Sequence, residues 1–89
     1  MAEDRETRLK RLRIRSWRRG IQEMDILFGT FADEKLSSLT NAELDAHEML
    51  MDEQDQDLLV WLTGQEDTPN ELKDALSLVK DHFLSKKTA

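Results

Sequence analysis

Ile21, Met24, Leu27, Phe28 and Phe31 recur three or four residues apart, and Leu36 extends the same line. That period belongs to an amphipathic α-helix with one apolar face, and it predicts a helix over 20–36. Nowhere in the chain does the two-residue alternation of a half-buried strand persist. Whatever this face packs against must also be helical, so the fold is expected to be all-α.

Four further segments carry helix signals. Residues 5–18 are good helix formers with acids in the opening turn, where they complement the helix dipole. The apolar residues there, Leu9, Leu12, Ile14 and Trp17, make only a thin stripe beside a broad arginine surface. Gly20 would cost ~1 kcal/mol relative to Ala inside a helix, so a break is expected near residues 18–20. Thr40 with Glu43 forms a capping box that opens a helix over 41–51, carrying Leu44, His47 and Met51 on one side. A lone helical histidine such as His47 is ordinarily a packing or surface residue rather than a metal ligand.

The acidic connector Asp52-Glu53-Gln54-Asp55-Gln56-Asp57 lacks the sixth-position glycine of a calcium loop. Asp55 is read instead as the N-cap of a short helix over 56–63 that Gly64 stops. Trp61 of that helix is expected in the core with its indole N–H bonded. Thr68-Pro69-Asn70-Glu71 reads as a second capping box, opening a last helix over 69–86 with Leu72, Ala75, Leu76, Val79 and Phe83 on its stripe. The 89 residues suit one core and no more. The expectation is a small single-domain five-helix bundle over 5–86, with flexible ends at 1–4 and 87–89.

Charge divides the chain at residue 19. Residues 1–19 carry eight basic against three acidic side chains, a net of +5, and the remainder carries five against sixteen, a net of −11. Cysteine is absent, which removes disulfides, thiolate metal sites and thiol nucleophiles. There is no glycine-rich phosphate loop and no His/carboxylate metal spacing. Glu23 and Asp25, two residues apart, project differently from a helix and do not suit a paired-carboxylate site. No catalytic, metal or cofactor-binding residue is expected. No apolar run approaches the ~18 residues of a membrane span, and the acids among the first six residues argue against a presequence, so the chain reads as soluble.

Two uses remain for the basic arm. The arginines could contact nucleic-acid phosphates, but a body of net −11 would repel them over any wide surface. Alternatively, residues 11–25 form a protein-docking surface. Guanidinium groups bind carboxylates in bidentate fashion, a glycine admits another backbone closely, and Glu23, four residues after Arg19, could hold that arginine in place. Self-association would occlude this surface, so a monomer is expected.

Arg19-Gly20-Ile21-Gln22-Glu23 matches the RGxxE motif of the succinate dehydrogenase assembly factors, the flavinylation factors of that enzyme. Arg11-Leu12 and Ser16 upstream agree with it, as do Met24-Asp25-Ile26-Leu27 and Phe31 downstream and the later Asp57-Leu58-x-x-Trp61. The chain resembles that family over roughly residues 8–84. It departs at Gln56, where the family often has proline. The resemblance implies a bacterial cytoplasmic protein, or a mitochondrial-matrix one in eukaryotes. Such a protein binds the flavoprotein subunit of succinate dehydrogenase, and in some members fumarate reductase, and promotes covalent attachment of FAD to that subunit. Nothing in the sequence resembles a flavin pocket, so no stably bound cofactor is expected on the factor itself, FAD being the cofactor attached to the client. Arg19, Gly20 and Glu23 carry over as client-binding residues, with Ser16, Arg18, Arg11 and Asp25 as neighbours.

Overall fold

The computed structural model describes the backbone of residues 3–88 and the side chains of 3–85. Five α-helices follow in order: α1 (Arg5–Trp17), α2 (Gln22–Lys35), α3 (Asn41–Met51), α4 (Asp55–Leu62) and α5 (Asn70–Thr88), with a single 3-10 turn, Leu36–Ser38, between α2 and α3. The fold is all-α, as the periodicity required. A radius of gyration of 12.5 Å is that of one domain of this length, about 12 Å. The expected flexible ends fall partly outside the described residues; within them, Asp4 caps α1 through Thr7 and α5 continues to Thr88.

The core is continuous through all five helices. Leu12 of α1, Phe28 of α2, Leu44 and Leu50 of α3, Leu58 of α4 and Val79 of α5 are fully buried. Burying a large aliphatic or aromatic side chain stabilises by about 1.5–3 kcal/mol, so these residues hold the bundle more firmly than any surface pair can. The α1 stripe differs from expectation. Leu12 and Ser16, four residues apart, form its buried line, whereas Ile14 is half exposed because it lies off that line. Trp17 lies instead against α2, where a Cβ on Gly29 would come within 2.2 Å of its ring, and its Nε1 donates to Asp33 at 3.2 Å. Only glycine at position 29 allows that approach.

The Thr40–Glu43 box is formed in both directions, at 3.1 and 2.8 Å. Gly64, at φ +79, ends α4: its N–H reaches Trp61 O and the next N–H, of Gln65, reaches Val60 O. Several boundaries need correction. α4 begins at Asp55 with Gln54 as its cap residue, because the Asp55 carboxylate is engaged elsewhere. α5 begins at Asn70. Trp61 is half-buried at the edge of the core, without an indole hydrogen bond among the described residues. On α5 the buried line runs from Val79 to His82, and Phe83 turns outward at 45% exposure.

Candidate functional site

The expected helix over 20–36 in fact starts at Gln22, and the residues before it build a tight corner. α1 ends at Trp17, and the Arg18 N–H closes on Arg15 O at 3.3 Å. Gly20 then takes φ +104, a left-handed conformation that side chains rarely adopt. Ile21 follows extended and caps α2 without a side-chain acceptor. Asp25 ties down the residues before that cap. From the first turn of α2 its Oδ1 reaches back to the backbone N–H groups of both Arg19 and Gly20, the latter at 3.1 Å.

Arg19 fixes the corner to the far side of the bundle. Its side chain is only 8% exposed. Nε donates to Asp55 Oδ1 at 2.9 Å, Nη1 to Met51 O at 2.6 Å and Nη2 to Glu53 O. The guanidinium carbon stands 5.9 Å from the centroid of the Phe28 ring. Arg15 adds a second donor to Met51 O, at 3.1 Å, and pairs with Asp52 at 2.8 Å. Two cations thus share the Met51 carbonyl at the C-terminal end of α3, where the helix dipole is negative. Glu23 does not hold Arg19: Arg19 lies outside the helix, so the four-residue spacing does not bring them together, and Asp55, thirty-six residues on, takes that place.

The seven residues singled out from the sequence therefore separate. Arg18, Gly20 and Glu23 are exposed along one corner, at the α1 end and the first turn of α2. Arg19 and Asp25 lie beneath it and hold its shape. Ser16 is fully buried and offers nothing to a partner at the surface. Arg11 lies seven residues before Arg18 on α1, about 10 Å along the helix. There it binds Glu3 at 2.8 Å and Glu48 at 3.0 Å.

Most arginines of the basic arm are spent in the same way. Arg5 donates to Asn41 at 2.8 Å and to Leu39 O, and Arg8 pairs with Asp45 and Glu48. The Arg11 and Arg8 guanidinium groups hold the Glu48 carboxyl below its usual range. The arm is a clasp across α3 rather than an open cationic face. Among the described residues no group of His, Asp and Glu is placed to hold a metal ion.

Beneath the corner, Ser16 Oγ donates to Leu12 O at 2.7 Å and lies 3.0 Å from His47 Nε2. The His47 ring stacks on Phe31 with centroids 5.6 Å apart, and its Nδ1 has no partner. Burial above all, and then the charges of Arg19 and Arg15, push the His47 pKa down to about 4, so the ring is neutral. Sequence reasoning left His47 as a packing or surface residue and missed this pair, as it missed the roles of Asp55 and Gly29. Gly29 alone had a local signal, the cost of a glycine within an amphipathic helix.

Fold and corner together define a small helical bundle with an exposed, glycine-centred edge locked from below. The chain belongs to the family described as the flavinator of succinate dehydrogenase, which matches residues 10–82. It is 41% identical over 76 residues to the mitochondrial succinate dehydrogenase assembly factor 2 of Meyerozyma guilliermondii, covering 82% of this chain and 56% of that protein. The same-named proteins of Mycosarcoma maydis and Schizosaccharomyces pombe are 41% identical over 68 residues and 35% over 71. These alignments cover 76% and 80% of this chain but 29% and 51% of those relatives. The chain thus spans about half the length of these relatives or less. No solved structure matches it significantly. No helix among the described residues is long and apolar enough to cross a membrane.

Proposed function

We propose that this chain binds the flavoprotein subunit of succinate dehydrogenase and promotes the covalent attachment of FAD to it, with fumarate reductase as a second client where present. The observation that carries this reading is the corner at Gly20. In a chain of this family, the Arg19-Gly20-Ile21-Gln22-Glu23 stretch adopts a left-handed turn with Gly20 and Glu23 exposed and Arg19 locked beneath. Gly20 admits a partner backbone closely, Glu23 and Arg18 offer opposite charges to it, and Arg19 and Asp25 keep the three in register.

The bond to FAD is made by groups of the client. The factor acts by binding the bond-forming conformation of the flavoprotein better than its alternatives, which raises the population of that conformation. Such a role needs no nucleophile or base on this chain. The protein acts as a monomer, in the bacterial cytoplasm or, in a eukaryote, in the mitochondrial matrix. Deleting the gene and measuring in-gel flavin fluorescence of the flavoprotein tests the reading. Covalent flavin should fall sharply and return with the wild-type gene. Undiminished fluorescence in a strain with no second factor would overturn it.

A further inference from the structure

Next to the corner the surface opens into a groove of about 440 Å³. Met24 and Leu27 of α2 line it, with Leu59 and Leu62 of α4 opposite and Phe83 of α5 along one side. Its walls are almost wholly apolar, and two residues bordering it, Ile26 and Leu59, are 49% and 48% exposed. In a chain that is 36% charged, a contiguous apolar channel is a feature that solvation does not explain. Glu23 and Lys80 lie on its rim. Both are exposed, and neither makes a hydrogen bond or ion pair within the described structure.

We infer that this groove receives an amphipathic helix of the flavoprotein client, one with apolar side chains at helical spacing, a basic residue facing Glu23 and an acidic residue facing Lys80. The inference rests on the docking reading above and adds a second contact to the same interface. Glu23 belongs to both surfaces, so a partner engaged at the corner meets the groove without a gap. The two rim charges are opposite in sign and set the direction in which such a helix lies. A second copy of this chain fits less well. The channel takes a few side chains, far short of the roughly 800 Å² per partner that a stable dimer buries, and a second copy would bring the same net charge of −6.

Binding of the full chain to the isolated flavoprotein subunit, measured by titration calorimetry, tests this with Leu59→Glu and Ile26→Glu. Both positions are half exposed, and circular dichroism with a thermal melt reports whether each variant folds. At least tenfold weaker binding by folded Leu59→Glu or Ile26→Glu is expected, and Lys80→Glu should weaken binding by a smaller factor. If the wild type binds and both apolar variants bind equally well, the groove inference is overturned while the corner stands. If the wild type does not bind the subunit at all, both readings fail. If sedimentation shows a dimer that Leu59→Glu dissolves without changing client affinity, the occupant is a second copy and the inference is overturned.

Discussion

Arg19 and Asp55 lie thirty-six residues apart in the chain and meet at 2.9 Å, with only 8% and 12% of their side chains exposed. A pair so buried costs desolvation on both sides, and it is tolerable because the remaining guanidinium donors find Met51 O and Glu53 O. The pair joins the α1–α2 corner to the α3–α4 turn, two connections with no sequence signal in common. Breaking one side of it leaves the other charged and unpaired. Asp55→Ala should therefore destabilise the bundle by about 3–5 kcal/mol in urea denaturation. Arg19→Lys, which keeps the charge but loses the fork, should also destabilise it. A loss below 1 kcal/mol in Asp55→Ala would show the pair to be incidental.

Gly20 is required by its backbone and not by space, since an added Cβ would meet only Asp55 Oδ2, at 3.8 Å. Gly20→Ala should cost about 1–3 kcal/mol, the strain of a side chain at φ +104. The helical circular dichroism should persist while flavoprotein binding falls. Full-strength binding by this variant would remove the corner from the interface.

Gly29 makes the opposite case. Alanine there would improve helix propensity by ~1 kcal/mol but places a methyl group inside the Trp17 ring. The indole must swing outward and lose its contact with Asp33. Gly29→Ala, made in a Trp61→Phe background so that Trp17 alone is seen, should shift tryptophan emission to the red. A net destabilisation of about 1–3 kcal/mol is expected. An unshifted spectrum with unchanged stability would contradict the packing described.

His47 predicts an acid sensitivity. Its folded pKa of about 4 lies below its ordinary value of 6.5, so the unfolded chain binds the proton first. The contribution of neutral His47 is complete above pH 6.5 and is lost as pH falls towards 4, a total of roughly 3 kcal/mol. Chemical denaturation at pH 7 and at pH 5 should show the wild type losing stability, and His47→Gln losing less. The comparison stops at pH 5 because carboxylates held low, such as Glu48, begin to contribute below that. Equal losses in the two proteins would remove His47 as the cause.

The parts of this fold that could be read in advance were the ones whose causes are local. The α3 cap is written in Thr40 and Glu43, the α4 stop in Gly64, and the α2 face in the spacing of Met24, Phe28 and Phe31. Ile14 and Phe83 were misplaced because a 3.6-residue period leaves adjacent positions competing for one stripe, and packing against α2 decides between them. The corner was located correctly at Gly20, but its supports were not. Asp55 and Asp25 reach Arg19 and its backbone across distances that no spacing rule in a single helix describes. An arginine read as a docking group proved to be held within the protein because its partners come from other elements of the fold.

Since Asp25 and Arg19 already anchor the turn at Gly20, a partner meets a surface whose ordering entropy has been spent during folding. Association should then resemble that of a rigid inhibitor more than that of a segment that folds on contact. Its rate would be limited by encounter and orientation rather than by rearrangement of the loop. If the chain docks as proposed, its rigidity leaves any conformational adjustment to the partner.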